Sequence, residues 1–388
     1  MNWKYDVSII VVNYNGLGYI DALMEGLSNL RHDDFSFEVV FVDNCSADNS
    51  VEYICARNKE INLDLRVIES KKNLGFAGGN NLGVKNARGN FIVLLNNDTK
   101  PNSDWLNKLY HFILTRDDVV MVNSKMVFFY DFIEFHFETK DQIRIKRNVL
   151  INGVEYRIDA KFCKNAILEE YDVICFGHTR ICFPILKPDE DFVMELSVDK
   201  CSAEDLMIAS EKKSPLHTGI NKIDMSNQYV IGIKKTLIQN AGSGINDNYD
   251  GYDIGFCEED GPQYCCDYEI GNGCGAGVIF RKRDFDQVGG FDERFFMYYE
   301  DTDLSYRLKR FSGKKIMYCH EAVVRHVHAG SSGEWSPFFT YHVFRNKLFF
   351  LKNNFDMLVY LKYFFKQLLQ GIKSRDKAKI KGTLDSLK

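Results

Sequence analysis

What the chain lacks sets the first limits. It has only 6 prolines against 28 glycines, and 14% of its 388 residues are aromatic. Disordered and low-complexity chains are poor in aromatic side chains, so that class is excluded. An excess of positive charge is also missing: 49 Lys and Arg against 54 Asp and Glu give a formal charge of −5. A broad nucleic-acid surface needs a basic balance, and no nucleic-acid partner is expected. No stretch reaches the roughly 18 apolar residues of a membrane-spanning helix. The most apolar segment, near the end, is cut by Lys352, Lys362 and Lys366. The 11 cysteines, an odd number, form no C-x-x-C pair, which argues against a disulfide framework or a cysteine zinc site and fits reduced thiols. The opening residues, Met1-Asn2-Trp3-Lys4-Tyr5-Asp6, carry no secretory signal pattern, so a cytoplasmic protein is expected.

What is present is enough apolar sequence, 45%, to bury a large core in two domains or in one domain with a big insertion. Between Val7 and Leu95 short β-branched runs (Val7–Val12, Glu38–Val42, Arg66–Ile68, Phe91–Leu95) alternate with helix-compatible stretches. Continuous apolar strands are those covered on both faces, so this rhythm predicts an α/β fold with a doubly wound, mostly parallel, Rossmann-like sheet. From about Phe128 to Thr236 the pattern shortens to alternating stretches with turn signals such as Asn152-Gly153, predicting a β-rich insertion. From Leu237 glycine-rich sequence returns, and Gly273–Phe280 reads as a return to the sheet.

Ligands of such sheets bind beyond the carboxyl ends of the strands. There the chain places Asn13-Tyr14-Asn15-Gly16, then Asp43-Asn44-Cys45-Ser46-Ala47-Asp48-Asn49-Ser50, then Asn96-Asn97-Asp98-Thr99. Turn and capping chemistry explains any one of these loops, with Ser46 or Asp48 capping the helix through Val51. Three on one edge point to a site. Asn73–Gly83 is rich in glycine and asparagine but matches neither G-x-G-x-x-G nor the P-loop; it would let backbone approach a nucleotide or phosphate. Asp98, with the Asn96 amide oxygen, offers a hard cation the ligands that Mg²⁺ accepts when phosphates and water complete its shell. Phe295–Tyr299 is an aromatic run followed by Glu300, Asp301 and Asp303 at a helix start. Acids there satisfy the helix dipole, or one of them serves as a general base on a hydroxyl. His326 and His328 alternate at the end of a strand, and either could supply a metal nitrogen.

Taken together, these segments resemble the family 2 glycosyltransferases of GT-A fold, in particular the rhamnosyltransferase-like branch that builds bacterial surface polysaccharides. The resemblance rests on Val7–Asn15, Val39–Ser50, Asn73–Gly83, Phe91–Thr99, Gly275–Arg307 and Ala322–Ser331. It implies an inverting hexosyltransferase using a nucleoside-diphosphate sugar, dTDP- or UDP-linked, and a glycan or lipid-linked glycan acceptor; rhamnose is the sugar it leans to. By resemblance Asn13 and Asp43 contact a pyrimidine, and Asn15, Asn73, Gly75 and Asn97 complete the nucleotide-sugar set. The family's acidic D-x-D metal motif falls on Asn96-x-Asp98, with Asn in the first acid's place, so Asp98 is the principal ligand of Mg²⁺ or Mn²⁺. His326 is the further metal ligand and His328 its rival. Asp301 maps to the catalytic base, with Glu300 and Asp303 as neighbours. The competing reading is a non-catalytic glycan-binding or scaffold protein that kept the fold.

The expected layout is a nucleotide-sugar half over 1–127, the insertion over 128–236, an acceptor and catalytic-base half over 237–337, and a helical segment over 338–388. The insertion would shape the acceptor side or make a subunit contact, as in a homo-oligomer. The last segment holds 11 aromatics between Phe338 and Phe365, and from Arg345 to Lys388 it has 11 basic residues against 3 acids. Two uses fit it: packing on the catalytic domain, and peripheral contact with the inner face of the plasma membrane.

Overall fold

The β-branched runs become a parallel core. The computed structural model describes residues 3–32, 34–200, 205–208, 212–327 and 336–388. In it β1 (Tyr5–Asn13) lies between β2 (Phe37–Asp43) and β4 (Gly89–Asn96), and β3 (Leu65–Glu69) flanks β2, all parallel. The connections are helices: α1 (Ile20–Ser28), α2 (Ser50–Ile61) and α3 (Gly75–Asn86), with α4 (Trp105–Leu114) following β4. Leu23, Met24 and Leu27 of α1 and Trp105, Leu106 and Leu109 of α4 pack into one core with Val7, Ile9, Val11 and Val93. The other face meets α3, where Gly79 and Gly83 lie so close to Val12 and Ile10 that a Cβ would come within 2.7 and 2.3 Å of their methyls. Both faces are covered, which is why the strands read as unbroken apolar runs.

One buried charge ties these strands together. Glu38, with no exposed surface, accepts from Ser8 Oγ (2.8 Å), Arg66 Nη2 (3.1 Å) and Arg88 Nη2 (2.7 Å). Burial pushes its carboxyl up, but Arg88, Ser8 and Arg66 outweigh that and hold it below its ordinary value. Removing one partner of such a buried pair costs about 3–5 kcal/mol.

Residues Tyr130–Ile238 with Cys257–Asp260 form a separate compact unit. It is a β-sheet built on Phe132–Lys146, Asp172–Pro184 and Phe192–Lys200, with the short helix α5 (Asn227–Ile233) capped by Ser226. Phe135, Phe137, Ile143 and Ile145 alternate inward. Asn152-Gly153, with φ of 49° and 76°, joins the hairpin Asn148–Ile151 and Val154–Arg157 in the left-handed turn that the dipeptide predicts.

The remainder of the first unit, Gln239–Phe256 and Gly261–Lys388, extends the main sheet. Strand Gly277–Arg281 inserts antiparallel between β4 and Val119–Phe128, and Lys315–His326 runs parallel to the latter. The expected doubly wound, mostly parallel α/β sheet with a β-rich insertion is the one found. Helices α6 (Lys282–Gln287), α7 (Glu300–Ser312), α8 (Pro337–Asn354), α9 (Met357–Ser374) and α10 (Lys377–Asp385) follow. The aromatic segment packs: Phe295 sits among Leu348, Phe349, Phe350, Tyr360, Tyr363 and Phe364. Among the described residues no helix is long and apolar enough to cross a membrane.

Candidate functional site

The loops after β1, β2 and β4 meet in one polar network. Asn13 is fully buried; its Oδ1 accepts from Asn97 Nδ2 (2.7 Å), and its Nδ2 donates to Ser46 Oγ (3.2 Å) and Asp43 Oδ1 (3.4 Å). The Asn15 backbone N–H donates to Ser46 Oγ (3.0 Å), Asn15 Oδ1 accepts from the Ala47 N–H (2.7 Å), and Asp43 Oδ2 accepts from the Ser46 N–H (3.0 Å). Asn13, Asn15 and Asp43 are thus brought together through Ser46, with Asn97 joined through Asn13; Ser46 does not cap α2, where the residue at the cap is Asn49. Asp48 Oδ1 accepts the N–H of Ser50 at the start of α2 (3.2 Å), as a cap would, and its Oδ2 accepts the Leu17 N–H (3.0 Å), stitching the first two loops. Asn44, which sequence reasoning passed over, joins Asn73 and Gly75 to them. Its Nδ2 donates to Asn73 Oδ1 (3.0 Å) and the Gly75 carbonyl (3.1 Å), and its Oδ1 accepts from the Leu74 N–H (2.8 Å).

Most of the glycine-asparagine segment is the helix α3, not an open loop. Its first free N–H groups, on Phe76 and Ala77, are taken by the Phe296 carbonyl (2.6 and 3.2 Å). Gly75 has φ of +71°, and a Cβ there would lie 2.4 Å from that same carbonyl oxygen. The glycine is required by this close approach of two backbones.

A second corner forms where Thr99–Pro101 pairs antiparallel with the end of Lys315–His326, setting His326 opposite Thr99. The Val327 N–H donates to the Asp98 carbonyl (3.0 Å). His326 Nε2 then lies 3.0 Å from Asp98 Oδ1 and 3.2 Å from Asn96 Nδ2, while its Nδ1 lies 2.8 Å from Gln239 Oε1. With its Nδ1 side engaged by Gln239, His326 presents Nε2 and Asp98 presents Oδ1 to the same spot, as a shared cation would require. One carboxylate and one imidazole nitrogen, beside an Asn96 amide that turns its nitrogen to His326, fit a divalent cation whose remaining positions go to phosphate and water. Among the described residues no cluster of three or more His, Cys, Asp or Glu side chains is placed to hold a metal alone. His328 lies outside the described residues.

The acids opening α7 have different fates. Glu300 is buried, its Oε2 has no hydrogen-bond partner, and burial together with the Asp301 charge pushes its carboxyl well above the ordinary value. Asp301 is half-buried; Oδ2 accepts from the Gly275 N–H (3.2 Å) and Oδ1 from the Thr302 N–H (2.7 Å). Burial pushes its carboxyl up as well, opposed by those two donors. The next residue after Gly275, Ala276, accepts the Asn96 N–H (3.3 Å), so consecutive residues tie Asp301 to the Asp98 corner. Asp303 is not brought with them, which corrects the grouping of three acids. It is fully buried, ion-paired with Arg307 Nε (2.7 Å) and hydrogen-bonded by Asn354 Nδ2 (2.8 Å), and so belongs to the scaffold.

The segment before α7 is strained. Phe296 has φ 63° and ψ −60° and the Met297 N–H donates to the Phe295 carbonyl (2.7 Å), a γ-turn of the costly positive-φ type. Tyr298 (φ 71°) and Tyr299 (φ 68°) are left-handed too. Asn346, fully buried on α8, holds the segment: its Nδ2 lies 2.8, 2.7 and 2.8 Å from the carbonyls of Phe295, Met297 and Tyr298. Sequence reasoning missed Asn346, Gln239 and also Asp253, which accepts from Asn240 Nδ2 (2.6 Å) and Ser243 Oγ (2.8 Å) and whose charge adds to the rise at Asp301. Asn346 is one of three asparagines in the aromatic run Phe338–Phe365, and nothing in the run singled it out; the other two lie on the short strands Ile238–Asn240 and Gly251–Asp253, which carry no motif.

Residues 8–170 match the profile described as Glycosyl transferase family 2. The chain is 33% identical over 123 residues to the poly(ribitol-phosphate) beta-N-acetylglucosaminyltransferase TarS of Staphylococcus aureus, covering 31% of this chain and 21% of that protein. It is 48% identical over 59 residues to an N-acetylglucosaminyl-diphospho-decaprenol L-rhamnosyltransferase of Mycobacterium tuberculosis, covering 15% and 19% respectively. In each of these relatives the matched part spans under half of the protein's length. Among solved structures, GalNAc-T7, crystallised with UDP, GalNAc and Mn²⁺, superposes with a TM-score of 0.54 at 13% identity, covering 98% of this chain and 55% of that one. Over residues 8–170 the chain is thus similar to glycosyl transferase family 2, and its fold is the GT-A fold.

Proposed function

We propose that this protein is an inverting glycosyltransferase that moves a sugar from a nucleoside-diphosphate sugar to a hydroxyl of a glycan or lipid-linked glycan in bacterial surface polysaccharide synthesis. The observation that carries the reading is Asp301: a half-buried carboxyl with raised proton affinity, held by two backbone N–H groups and tied through Gly275 and Ala276 to the Asp98–His326 pair. Its raised pKa suits a general base working near neutral pH. In this reading Asp301 removes the acceptor hydroxyl proton as the oxygen attacks the anomeric carbon from the face opposite the leaving nucleoside diphosphate. Burial and the Asp301 charge push the neighbouring Glu300 carboxyl well above its ordinary value, which favours its neutral form beside the base. The Asn13, Asn15, Asp43 and Asn97 network reads the base of a dTDP- or UDP-sugar, and Asn73 and Gly75 border the nucleotide. Asp98, His326 and Asn96 would hold Mg²⁺ or Mn²⁺, which when bound neutralises charge on a diphosphate. The mycobacterial relative's name favours rhamnose as the sugar to try first.

The test is a panel of dTDP-, UDP- and GDP-sugars, followed by thermal shift and by release of nucleoside diphosphate, with and without Mn²⁺. One pyrimidine-linked donor should stabilise the protein in a Mn²⁺-dependent way and be turned over. Stabilisation without turnover of any donor, with or without acceptor glycans, would support the non-catalytic glycan-binding or scaffold reading instead.

A further inference from the structure

Helix α9 is apolar on two faces. One, with Tyr360, Tyr363 and Phe364, packs against α8 residues; on the other, Leu358, Leu361, Phe365, Leu369 and Ile372 follow at spacings of three and four residues and stay exposed, Leu358 to 79% and Leu369 to 67%. Leu384 and Leu387, on and just after α10, are exposed as well. Single exposed apolar residues are ordinary, whereas a stripe in helical register is the mark of a surface that something covers.

Charge says what covers it. Helix α9 carries Lys362, Lys366 and Lys373 and no acid. At 100° per residue all three fall on one flank, about 60–100° from the centre of the stripe. A cavity of about 290 Å³ lined by Lys347, Lys366, Lys379, Gln367 and Gln370, with Asp250 its one carboxylate, opens about 150° from the centre of the stripe and meets this flank only at Lys366. Gln367 Oε1 is buried there without a partner. Two copies of the chain meeting through this stripe would bring their lysine rows together with no acid on the helix to answer them.

We infer that this face docks the protein on an anionic phospholipid bilayer, α9 lying in the plane of the interface with its leucine and phenylalanine stripe among the acyl chains. Lys362, Lys366 and Lys373 meet headgroup phosphates. The inference stands apart from sugar transfer, since it uses neither Asp301 nor Asp98.

The experiment is co-sedimentation of the full chain with vesicles of phosphatidylcholine alone or mixed with phosphatidylglycerol, at low and high salt, alongside sedimentation velocity without vesicles. The wild type should bind the anionic vesicles, more weakly at high salt, and leave the neutral ones. Lys362→Gln/Lys366→Gln/Lys373→Gln should bind about 100-fold more weakly. Leu361→Ser/Phe365→Ser/Leu369→Ser should not sediment, with an unchanged circular dichroism spectrum because these positions are already exposed. Equal binding to both vesicle types, no binding to either, or a wild-type dimer that the serine variant dissociates would each overturn the inference.

Discussion

Replacing Asn346 by leucine keeps the number and branching of the side-chain heavy atoms and removes the two N–H donors that serve the carbonyls of Phe295, Met297 and Tyr298. The Phe295 carbonyl keeps Arg345 Nη2 at 3.0 Å, so the net loss falls mainly on the other two, which are partly buried. At about 1–2 kcal/mol for each such carbonyl the fold should lose about 2–4 kcal/mol. The segment has its own reason to move once released: Phe296, Tyr298 and Tyr299 all have positive φ, and such residues cost about 1–3 kcal/mol each. Relaxation there shifts the start of α7 and with it Asp301. A misplacement of about 1 Å at a reacting group lowers turnover about 100-fold. Urea unfolding followed by circular dichroism measures the first effect, and nucleoside-diphosphate release from the preferred donor the second. A stability change under about 0.5 kcal/mol with unaltered kcat would refute the idea that Asn346 holds the strained segment.

Other perturbations separate scaffold from site. Asp303→Ala strands the Arg307 guanidinium against its buried side and should cost about 3 kcal/mol in urea unfolding, with KM for donor unchanged in the folded fraction. Asp98→Ala should abolish the Mn²⁺-dependent part of the thermal shift given by a nucleoside diphosphate while leaving the metal-free melting temperature within a degree or two. The raised carboxyls give a signed pH dependence. Glu300 binds its proton more tightly folded than unfolded, so its contribution to stability is complete below its ordinary value of 4.5 and is lost as pH rises through the folded value. Glu300→Gln removes that decline, so the variant should gain on the wild type as pH increases in a urea series; a constant difference at all pH values would contradict the assignment.

Much of the fold could be read from the chain because its physics is local. Val7–Val12 and Phe91–Leu95 are apolar throughout since parallel strands are covered on both faces, and Asn152-Gly153 specifies its turn by backbone preference alone. The segment Gly75–Asn86 resisted for the opposite reason. Glycine is a poor helix former, and what makes this stretch helical is its fit against Ile10 and Val12 and the Phe296 carbonyl at its start, both tertiary facts. The three acids of α7 look alike in sequence, yet Asp303 has Arg307 four residues on, the spacing of a helical ion pair, which was the legible sign that it is scaffold. Asp98 and His326, more than two hundred positions apart, meet through the pairing of Thr99–Pro101 with Lys315–His326, and Gln239 joins them; of these, only Gln239 lacked any motif.

The central claim, that Asp301 is the base of an inverting transfer, is tested most directly by comparing wild type with Asp301→Asn for release of nucleoside diphosphate from the preferred donor across pH 4–9, with acceptor present. The account predicts an acid limb lying above the ordinary range of an aspartate, since burial raises this carboxyl, and a variant at least about 1,000-fold slower that binds donor as well as wild type does. A variant that retains turnover within tenfold, or a wild-type profile flat down to pH 4, would contradict it.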